Sequence, residues 1–332
     1  MVPGFASNYE GQSPHYEVWY GKVDLAPGRA IWFRYTVFDG AVQEASTWAI
    51  FFDGDEVEGG RSWWELDELA LPNIVDPPGG SSESRFAGHE QVFRVDGAYL
   101  DEANAIGRAD TITWDLQWED RGRRFHYIPP AVTKIPVLKS AYDACFMDLR
   151  VSGTVTVDGE VYRVDGRPGM LGHIHGSKIS GNSWAWAHCN SFQESDDAVF
   201  EGLSVHLDLM GMETPPVSAF VLDLGDKKWE FRTPLSMVLA ESLFERNSWE
   251  FEVEAHGARL TGRATAPPPE RVALVEYDDT DGSKLWCYNS KLADLELRIQ
   301  EPVEGIDERL TAEGTSAFEF VTRELPDETP LI

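Results

Sequence analysis

Apolar and polar side chains alternate along much of this chain. In the run TITWDLQW, Ile112, Trp114, Leu116 and Trp118 are separated by single polar residues, so all four lie on one face of a half-buried strand. The run WEFEVEA repeats this pattern from residue 249 to residue 255. Strands are also predicted in the apolar runs YEVWYGKVDL, AIWFRYTVF, TWAIFF, ACFMDLRVSGTVTV, VSAFVLDL, KKWEFRT and LADLELRI. The pattern predicts a protein built mainly of antiparallel strands.

Turn-forming residues separate these strands. Glycine, aspartate and proline recur at intervals of about 8–14 residues, which is typical of an antiparallel meander, sandwich or barrel. Asp158 and Gly159 stand between two β-rich runs and predict a tight hairpin turn. Helical periodicity is confined to SWWELDELALP and SMVLAESLFE, so a βαβ architecture is not expected. The predicted fold class is all-β, with few short helices.

A proline-rich segment predicts the border between two domains. Three prolines fall within Pro129–Pro136, and proline does not fit the middle of a sheet because it lacks the backbone N–H. We therefore interpret the segment as a crossover between two halves. The predicted domains are residues 1–135 and residues 136–332.

The charge of the chain excludes two classes of partner. Its 332 residues include 57 acidic and 28 basic side chains, with a formal net charge of −29. Nucleic acids and anionic membranes both require a positive surface, so neither is expected as a partner. The N-terminal run has no secretory pattern, and nowhere do about 18 apolar residues run together. We expect a cytoplasmic protein without stable membrane insertion. The sequence leaves open whether the protein forms a homodimer.

The three cysteines do not indicate a disulfide or thiolate metal site. Cys145, Cys189 and Cys287 are an odd number, lie far apart and lack CxxC spacing. We expect three buried, free thiols, since unpaired cysteine behaves as a small apolar residue.

Histidines and tryptophans are concentrated in HIHGSKISGNSWAWAHCNSF, at residues 173–192. If its two halves form a hairpin with Gly176 opposite Ser183, one face of the sheet carries both His-x-His imidazoles and the later aromatic residues. A register shift by one residue would put the two sets on opposite faces. Such a face would suit an elongated apolar ligand that undergoes one reaction step at a few polar groups. Two alternatives remain: a three-histidine zinc site at His173, His175 and His188, or polar residues satisfied within a barrel wall.

Three segments together resemble one known superfamily. SPHYEVWYGKV, VSGTVTVDGEVYRVDGRPG and WAWAHCNSF resemble the motifs of the tocopherol cyclase and carotenoid 1,2-hydratase-like (AttH-like, lipocalin-type) superfamily. The positions that match the opening and signature motifs are Pro14, His15, Glu17, Trp19, Tyr20, Lys22, Val23, Trp184, Trp186, Asn190 and Phe192. The resemblance implies two lipocalin-like antiparallel β-barrel or sandwich halves in tandem, one for each predicted domain.

The chain departs from the superfamily where its acidic residues are expected. His173 and Gly176 match the hydratase motif, but Gly172 and Ile174 occupy the acidic positions next to that histidine. His175 replaces a tryptophan, and His188 replaces the glutamine of the cyclases. The usual acid of the superfamily is therefore in doubt in this chain.

The resemblance implies a cofactor-independent cyclase or hydratase that acts on a hydrophobic, isoprenoid- or polyketide-like alkene. The reaction is either started by a proton or pericyclic, and the missing acidic residues favour the pericyclic route. The candidate catalytic residues are His173, His175, His188 and Glu17. The candidate substrate-binding residues are Trp19, Tyr20, Trp184, Trp186 and Asn190. The alternative from another class is a non-catalytic carrier of a lipophilic small molecule.

Overall fold

Strands make up most of the protein. The computed structural model describes residues 2–69, 91–128, 139–209 and 212–332. The first of its two sheets contains β1 His15–Ala26, β2 Arg29–Asp39, β3 Gln43–Asp53, β4 Glu56–Glu65, β5 Phe93–Val95, β6 Ala98–Leu100, β7 Asn104–Ala109, β8 Ile112–Asp120, β9 Phe125–His126, β10 Ser140–Val157 and β11 Glu160–Gly176. The second contains β12 Gly181–Cys189, β13 Val199–Leu209, β14 Met212–Glu213, β15 Val217–Asp223, β16 Lys228–Phe231, β17 Glu241–Glu245, β18 Ser248–Ala255, β19 Ala258–Thr265, β20 Ala273–Asp278, β21 Lys284–Glu301 and β22 Ile306–Thr322.

Helices are short, as the sequence predicts. One α-helix, α1, spans Pro234–Leu239 within the described residues, and the Thr233 hydroxyl caps it by accepting the Ser236 N–H at 3.1 Å. Two 3₁₀ turns span Leu66–Glu68 and Pro269–Arg271. The predicted helix SWWELDELALP is wrong at residues 62–65, which continue β4, and only a 3₁₀ turn follows at Leu66–Glu68; its last residues, 70–72, lie outside the described residues. The described helices are not long and apolar enough to span a bilayer.

Antiparallel pairing connects strands that are distant in the chain. The first sheet has the order β4-β3-β2-β1-β11-β10-β8-β7-β6-β5, and the second has the order β16-β15-β13-β12-β22-β21-β19-β18-β17. Each sheet curls onto itself. In the first, the Tyr35 hydroxyl on β2 donates to the Ile106 carbonyl on β7 at 2.7 Å. In the second, the Ser242 hydroxyl on β17 donates to Ser204 on β13 at 2.9 Å. The all-β fold with two tandem barrel-like halves is confirmed.

Among the described residues, the curled sheets produce three large apolar cores and one small cluster of Leu274, Trp286 and Tyr288. One fills the first sheet and includes Trp19 and Trp114, and another fills the second sheet and includes Trp249. The third lies between the sheets, where Tyr20 of β1 meets Trp186 of β12. Because successive side chains of a strand point to opposite faces, β1 contributes to the first core and to the seam between the sheets.

The change from one sheet to the other falls between Gly176 and Gly181. Strands β10 and β11 pair with β8 and β1, so they lie in the first sheet although they follow the predicted border between residues 135 and 136. The predicted crossover at Pro129–Pro136 lies outside the described residues. The hairpin turn at Asp158 and Gly159 is confirmed, since both residues have positive φ, 48° and 85°, between β10 and β11.

The expectation for the cysteines is confirmed. Cys145, Cys189 and Cys287 are all buried and unpaired with one another. Burial raises the pKa of each thiol, to about 12 for Cys189. These thiols are packing groups in the three cores.

Candidate functional site

The predicted hairpin between His173 and Phe192 is wrong. Strand β11 pairs with β1 and β10, so Gly176 lies opposite Tyr16 and Ser140. Strand β12 pairs with β13 and β22, so Ser183 lies opposite His206 and Thr322. Each strand has one neighbour that is adjacent in the chain, β10 or β13, and one that is distant, β1 or β22. The histidines and tryptophans of the quoted run therefore belong to different sheets and do not share one face.

Inside the first sheet, Glu17 and His173 form a buried pair. Both side chains are fully buried, and His173 Nε2 lies 2.9 Å from a Glu17 carboxylate oxygen. His173 Nδ1 lies 2.6 Å from the carbonyl oxygen of Gly4. A carbonyl and a carboxylate oxygen can only accept, so both ring nitrogens donate and His173 is an imidazolium.

The Glu17 carboxylate holds the N-terminal segment against the barrel. Its oxygens accept hydrogen bonds from the Ser7 hydroxyl at 2.8 Å and from the Asn8 backbone N–H at 2.7 Å. Burial alone would raise the pKa of Glu17, but the nearby His15 ring, hydrogen bonds from His173 and Asn8, and the His173 charge lower it well below its usual range. An anion in this state is a poor proton donor.

Aromatic stacking completes this buried group. The Trp19 indole lies parallel to the His173 ring, with ring centroids 4.7 Å apart, and donates to the Phe5 carbonyl at 3.0 Å. His175 stacks on His173 at 5.2 Å. Burial and the charge of His173 lower the pKa of His175 to about 4, so this imidazole is neutral at pH 7. Glu17, Trp19 and His173 hydrogen-bond to the N-terminal segment and hold it against the first sheet. His175 packs against His173.

A cavity lies in the seam between the two sheets. Its volume is about 70 Å³, enough for the reacting end of a larger molecule. Its walls are mainly aromatic and aliphatic, with a few charged groups among them. The lining residues are Tyr16, Val18, Tyr20, Trp32, Arg34, Phe38, Tyr142, Ile174, Ile179, Trp184, Trp186, Leu203, Tyr277, Asp278 and Glu319. Arg34, Ile179 and Asp278 are partly exposed, so the cavity reaches the surface.

Four phenols line the cavity, and the hydroxyl of one of them, Tyr16, donates to Ser140 at 2.7 Å. Burial raises the pKa of each well above its usual range, so the hydroxyl groups stay protonated at neutral pH. They belong to Tyr16, Tyr20, Tyr142 and Tyr277. Neutral phenols in an apolar wall can orient a carbonyl or hydroxyl oxygen of a ligand.

A carboxylate of the second sheet faces the cavity. One oxygen of Glu319, on β22, accepts from Lys291 Nζ at 2.7 Å and from the Asn289 side-chain amide at 3.0 Å. Among the described residues, its other oxygen has no hydrogen-bond partner. Burial lowers the pKa of Lys291, against the attraction of Glu319. The Lys291 ammonium also lies 5.1 Å from the Trp186 ring. Glu319 is thus an anchored carboxylate with one free oxygen at the cavity.

A second buried carboxylate fixes the cavity wall. Glu201 on β13 accepts from the Trp186 indole at 2.6 Å and from His188 Nδ1 at 2.7 Å. The Tyr127 hydroxyl also donates to Glu201. The Tyr20 ring meets the Trp186 ring edge-on, with centroids 5.5 Å apart. Glu201 therefore orients Trp186, and His188 lies behind the cavity wall, bound to the same carboxylate.

The structure divides the predicted site residues between two places. Tyr20, Trp184 and Trp186 line the cavity, and His188 lies directly behind it. Asn190 lies deeper in the seam, where its amide donates to the Gly169 carbonyl at 2.9 Å. Glu17, Trp19, His173 and His175 are inside the first sheet and do not line this cavity. Their catalytic and binding roles stay predictions.

Sequence reasoning missed the charged residues of the seam. Arg34, Glu201, Lys291 and Glu319 each stand within an otherwise apolar strand run. A charge at such a position is costly unless it is paired, so this pattern is a usable signal. The sequence alone does not reveal that strands β2, β13, β21 and β22 bring these charges together.

The three-histidine zinc alternative does not fit the fold. His173 and His175 are on the inner face of the first sheet, whereas His188 is in the seam. Among the described residues, no group of three or more histidine, cysteine, aspartate or glutamate side chains is arranged to hold a metal ion.

Comparison with known proteins supports the fold. No family model matches the chain. Two uncharacterized proteins of Mycobacterium tuberculosis, from strains CDC 1551 and H37Rv, are each 24% identical over 299 residues, which is 88% of this chain and 83% of theirs.

Two solved structures have a similar fold. An AttH candidate from Nitrosomonas europaea has a TM-score of 0.54 and 13% identity, over 98% of this chain and 99% of its own. Kievitone hydratase from Nectria haematococca has a TM-score of 0.52 and 10% identity, over 93% of this chain and 90% of its own. These similarities show that the chain shares its all-β fold of two barrel-like halves with both structures.

Proposed function

We propose that this protein is a hydratase- or cyclase-type enzyme that acts on a hydrophobic alkene held in the seam between the two sheets. One observation carries the proposal: an aromatic cavity contains an anchored carboxylate, Glu319, with one oxygen free of protein partners among the described residues. Apolar walls supply affinity at about 0.8 kcal/mol for each buried CH₂ group. The carboxylate supplies a place where a proton can be taken up and returned.

The charges at the cavity favour addition to an activated alkene. Glu319 lies 2.7 Å from the Lys291 ammonium, and Asp278 lies 2.6 Å from the Lys284 ammonium. Ammonium partners stabilise the ionised carboxylates, which do not protonate an isolated alkene readily. An alkene conjugated to a carbonyl is a better match, because neutral phenols such as that of Tyr20 can donate to its oxygen.

The proposed step is balanced by water alone. The Glu319 carboxylate takes one proton from a water molecule while the resulting hydroxide oxygen bonds to the β carbon of the alkene. The electron pair of the double bond moves onto the carbonyl oxygen, where phenol donors stabilise it. Glu319 then returns the proton to the α carbon. For a cyclisation, a hydroxyl of the substrate replaces the water.

The kievitone hydratase fold supports this class of reaction, since that protein is named for addition of water. Its 10% identity means that neither its substrate nor its residues are carried over to this chain. The cavity volume of about 70 Å³ suits a small ring or chain end. The rest of an isoprenoid- or polyketide-like molecule would extend through the opening near Arg34 and Ile179.

The test combines identification of bound molecules with isotope labelling. Native mass spectrometry of the purified protein, followed by organic extraction, identifies any molecule that co-purifies. That molecule, kievitone and the enone benzylideneacetone are then incubated with the protein in H₂¹⁸O. We expect a product that has gained one labelled water, or an unlabelled cyclic isomer.

A matched pair of variants assigns the chemistry to the cavity. Glu319→Gln should lower turnover by about 100-fold or more, the contribution of a general acid–base group, while ligand binding persists. Glu276→Gln should leave turnover unchanged, since Glu276 pairs with Lys284 outside the lining set. Equal turnover in both variants would refute the role of Glu319. Tight binding without conversion of any of these molecules would favour the carrier.

A further inference from the structure

Arg34 is a cation of the cavity without a carboxylate partner among the described residues. It lies on β2, lines the cavity and is only partly buried. Its Nε atom donates to the Thr36 hydroxyl at 2.8 Å. Its guanidinium carbon lies 4.4 Å from the Tyr277 ring centroid and 5.3 Å from that of Trp48. Among the described residues, neither terminal nitrogen of Arg34 has a hydrogen-bond partner.

The neighbouring charges are already paired. Lys291 binds Glu319 at 2.7 Å, and Lys284 binds Asp278 at 2.6 Å. On the other side of Trp48, Arg61 is paired with Glu44. Further along the seam, Arg323 binds Asp279 at 2.7 Å. A protein with a net charge of −29 has many carboxylates available, yet none of the described ones lies within ion-pair distance of Arg34.

We propose that Arg34 is a specificity residue that binds a carboxylate of the substrate. The inference rests on the proposed function, because it places the substrate in the same cavity. Contacts with Tyr277 and Trp48 hold the guanidinium group in place, while its terminal N–H groups remain available for a bidentate contact. The substrate is then a hydrophobic acid, with its apolar part against Tyr20 and Trp186.

The same charges favour a carboxylate over a diphosphate. Asp278 and Glu319 line the cavity together with Arg34, and both would repel a ligand with several negative charges. Lys291 is already engaged by Glu319 and does not offer a second free cation. One unpaired guanidinium group among two carboxylates matches a single negative charge.

The test compares an acid with its neutral ester. Isothermal titration calorimetry at pH 7.5 measures the affinity for 4-phenylbutanoate and for its methyl ester. We expect the wild type to prefer the acid by about 10- to 100-fold, the range supplied by charge-assisted hydrogen bonds. Arg34→Met should abolish this preference while the ester still binds. Arg34→Lys should retain part of it.

Arg61→Met is the matched control. It removes the same charge from the other face of Trp48, where the guanidinium carbon lies 4.4 Å from the ring, but Arg61 does not line the cavity. The preference for the acid should persist in this variant. Loss of the preference in Arg61→Met as well would show a general field effect and overturn the inference, as would a preference that survives in Arg34→Met.

Trp184→Ala separates this inference from the proposed function. Trp184 lines the cavity, so the ester affinity should fall when its ring is removed. If the ester binds through Trp184 but the wild type shows no preference for the acid, only the role of Arg34 is refuted. If neither probe binds, or binding ignores Trp184, the cavity is not the ligand site and both proposals fail.

Discussion

Replacing Glu17 with alanine tests whether the buried Glu17–His173 pair holds the fold together. The carboxylate is fully buried and accepts hydrogen bonds from Ser7, Asn8 and His173. Glu17→Ala removes all of these bonds at once. It also leaves the His173 imidazolium facing the Gly4 carbonyl without its counter-charge.

The expected cost is about 3 kcal/mol. Removal of one partner from a buried ion pair costs about 3–5 kcal/mol, because the remaining charge is uncompensated. The lower end applies to this pair, since His173 keeps its hydrogen bond to the Gly4 carbonyl. Glu17→Gln should cost less, because the oxygen of an amide of the same shape can still accept from Asn8 or from His173.

Urea denaturation followed by tryptophan fluorescence measures this cost. We expect a lower midpoint at an unchanged m-value in Glu17→Ala. Glu254→Ala is the control, because the Glu254 side chain is 69% exposed on β18, and a surface change of this kind costs about 0.5 kcal/mol or less.

The pH dependence follows from the lowered pKa of Glu17. A carboxyl whose pKa is lower in the folded protein stabilises it fully above its unfolded pKa of about 4.3, and this contribution is lost as the pH falls through the folded pKa. The difference in the free energy of unfolding between the wild type and Glu17→Ala should therefore become smaller below about pH 4. A cost under about 1 kcal/mol at pH 7, or a variant with wild-type stability but no turnover, would refute the structural role.

Three other variants test the seam and the stacked histidines. Gly172→Ala would place a Cβ 2.4 Å from Tyr20 Cζ, so it should displace the phenol, cost about 1–3 kcal/mol in thermal unfolding and weaken ester binding; an unchanged affinity would contradict this. The wild type should lose about 2 kcal/mol of unfolding free energy as the pH falls from 6.5 to 4, after discounting for partial exposure, because the His175 imidazole takes up a proton at higher pH in the unfolded chain than in the folded one. His175→Gln should remove this loss. An equal drop in urea midpoint from pH 7 to pH 5 in the wild type and the variant would contradict it. Lys291→Met should lower turnover while ligand binding persists, because Glu319 loses the ammonium group that anchors its carboxylate; unchanged turnover would refute this role of the pair.

The strands and their faces were predictable because the period of side-chain direction in a strand is two residues. Ile112, Trp114 and Leu116 are buried, while the residues between them are exposed. Pairing was not predictable from local rules. The hairpin expected at residues 173–192 fails because β11 pairs with β1 and β12 pairs with β22, from opposite ends of the chain. Such pairings depend on the packing of the whole sheet.

The candidate site was only partly predictable, for the same reason. The superfamily motif identified Tyr20, Trp184 and Trp186, which line the cavity. Arg34 and Glu319 stand in apolar runs, where a single charge is a signal, but each comes from a different sheet. Strand alternation predicts which face of the sheet a charged residue occupies. It does not predict which residue of the other sheet lies opposite it across the seam.

The distribution of polar groups supports an enzyme over a carrier. The seam buries the His188–Glu201 and Lys291–Glu319 pairs, which an apolar ligand does not require, whereas the buried pair inside the first sheet, Glu17–His173, holds the N-terminal segment. Within the described part of the chain, Trp32 Nε1, His188 Nε2 and Asn289 Oδ1 are buried in or beside this seam without hydrogen-bond partners. Each such atom costs about 1–3 kcal/mol, and buried ion pairs are often no more stable than apolar replacements. A carrier would gain stability from an apolar seam, so the concentration of this cost beside Glu319 indicates chemistry at the cavity.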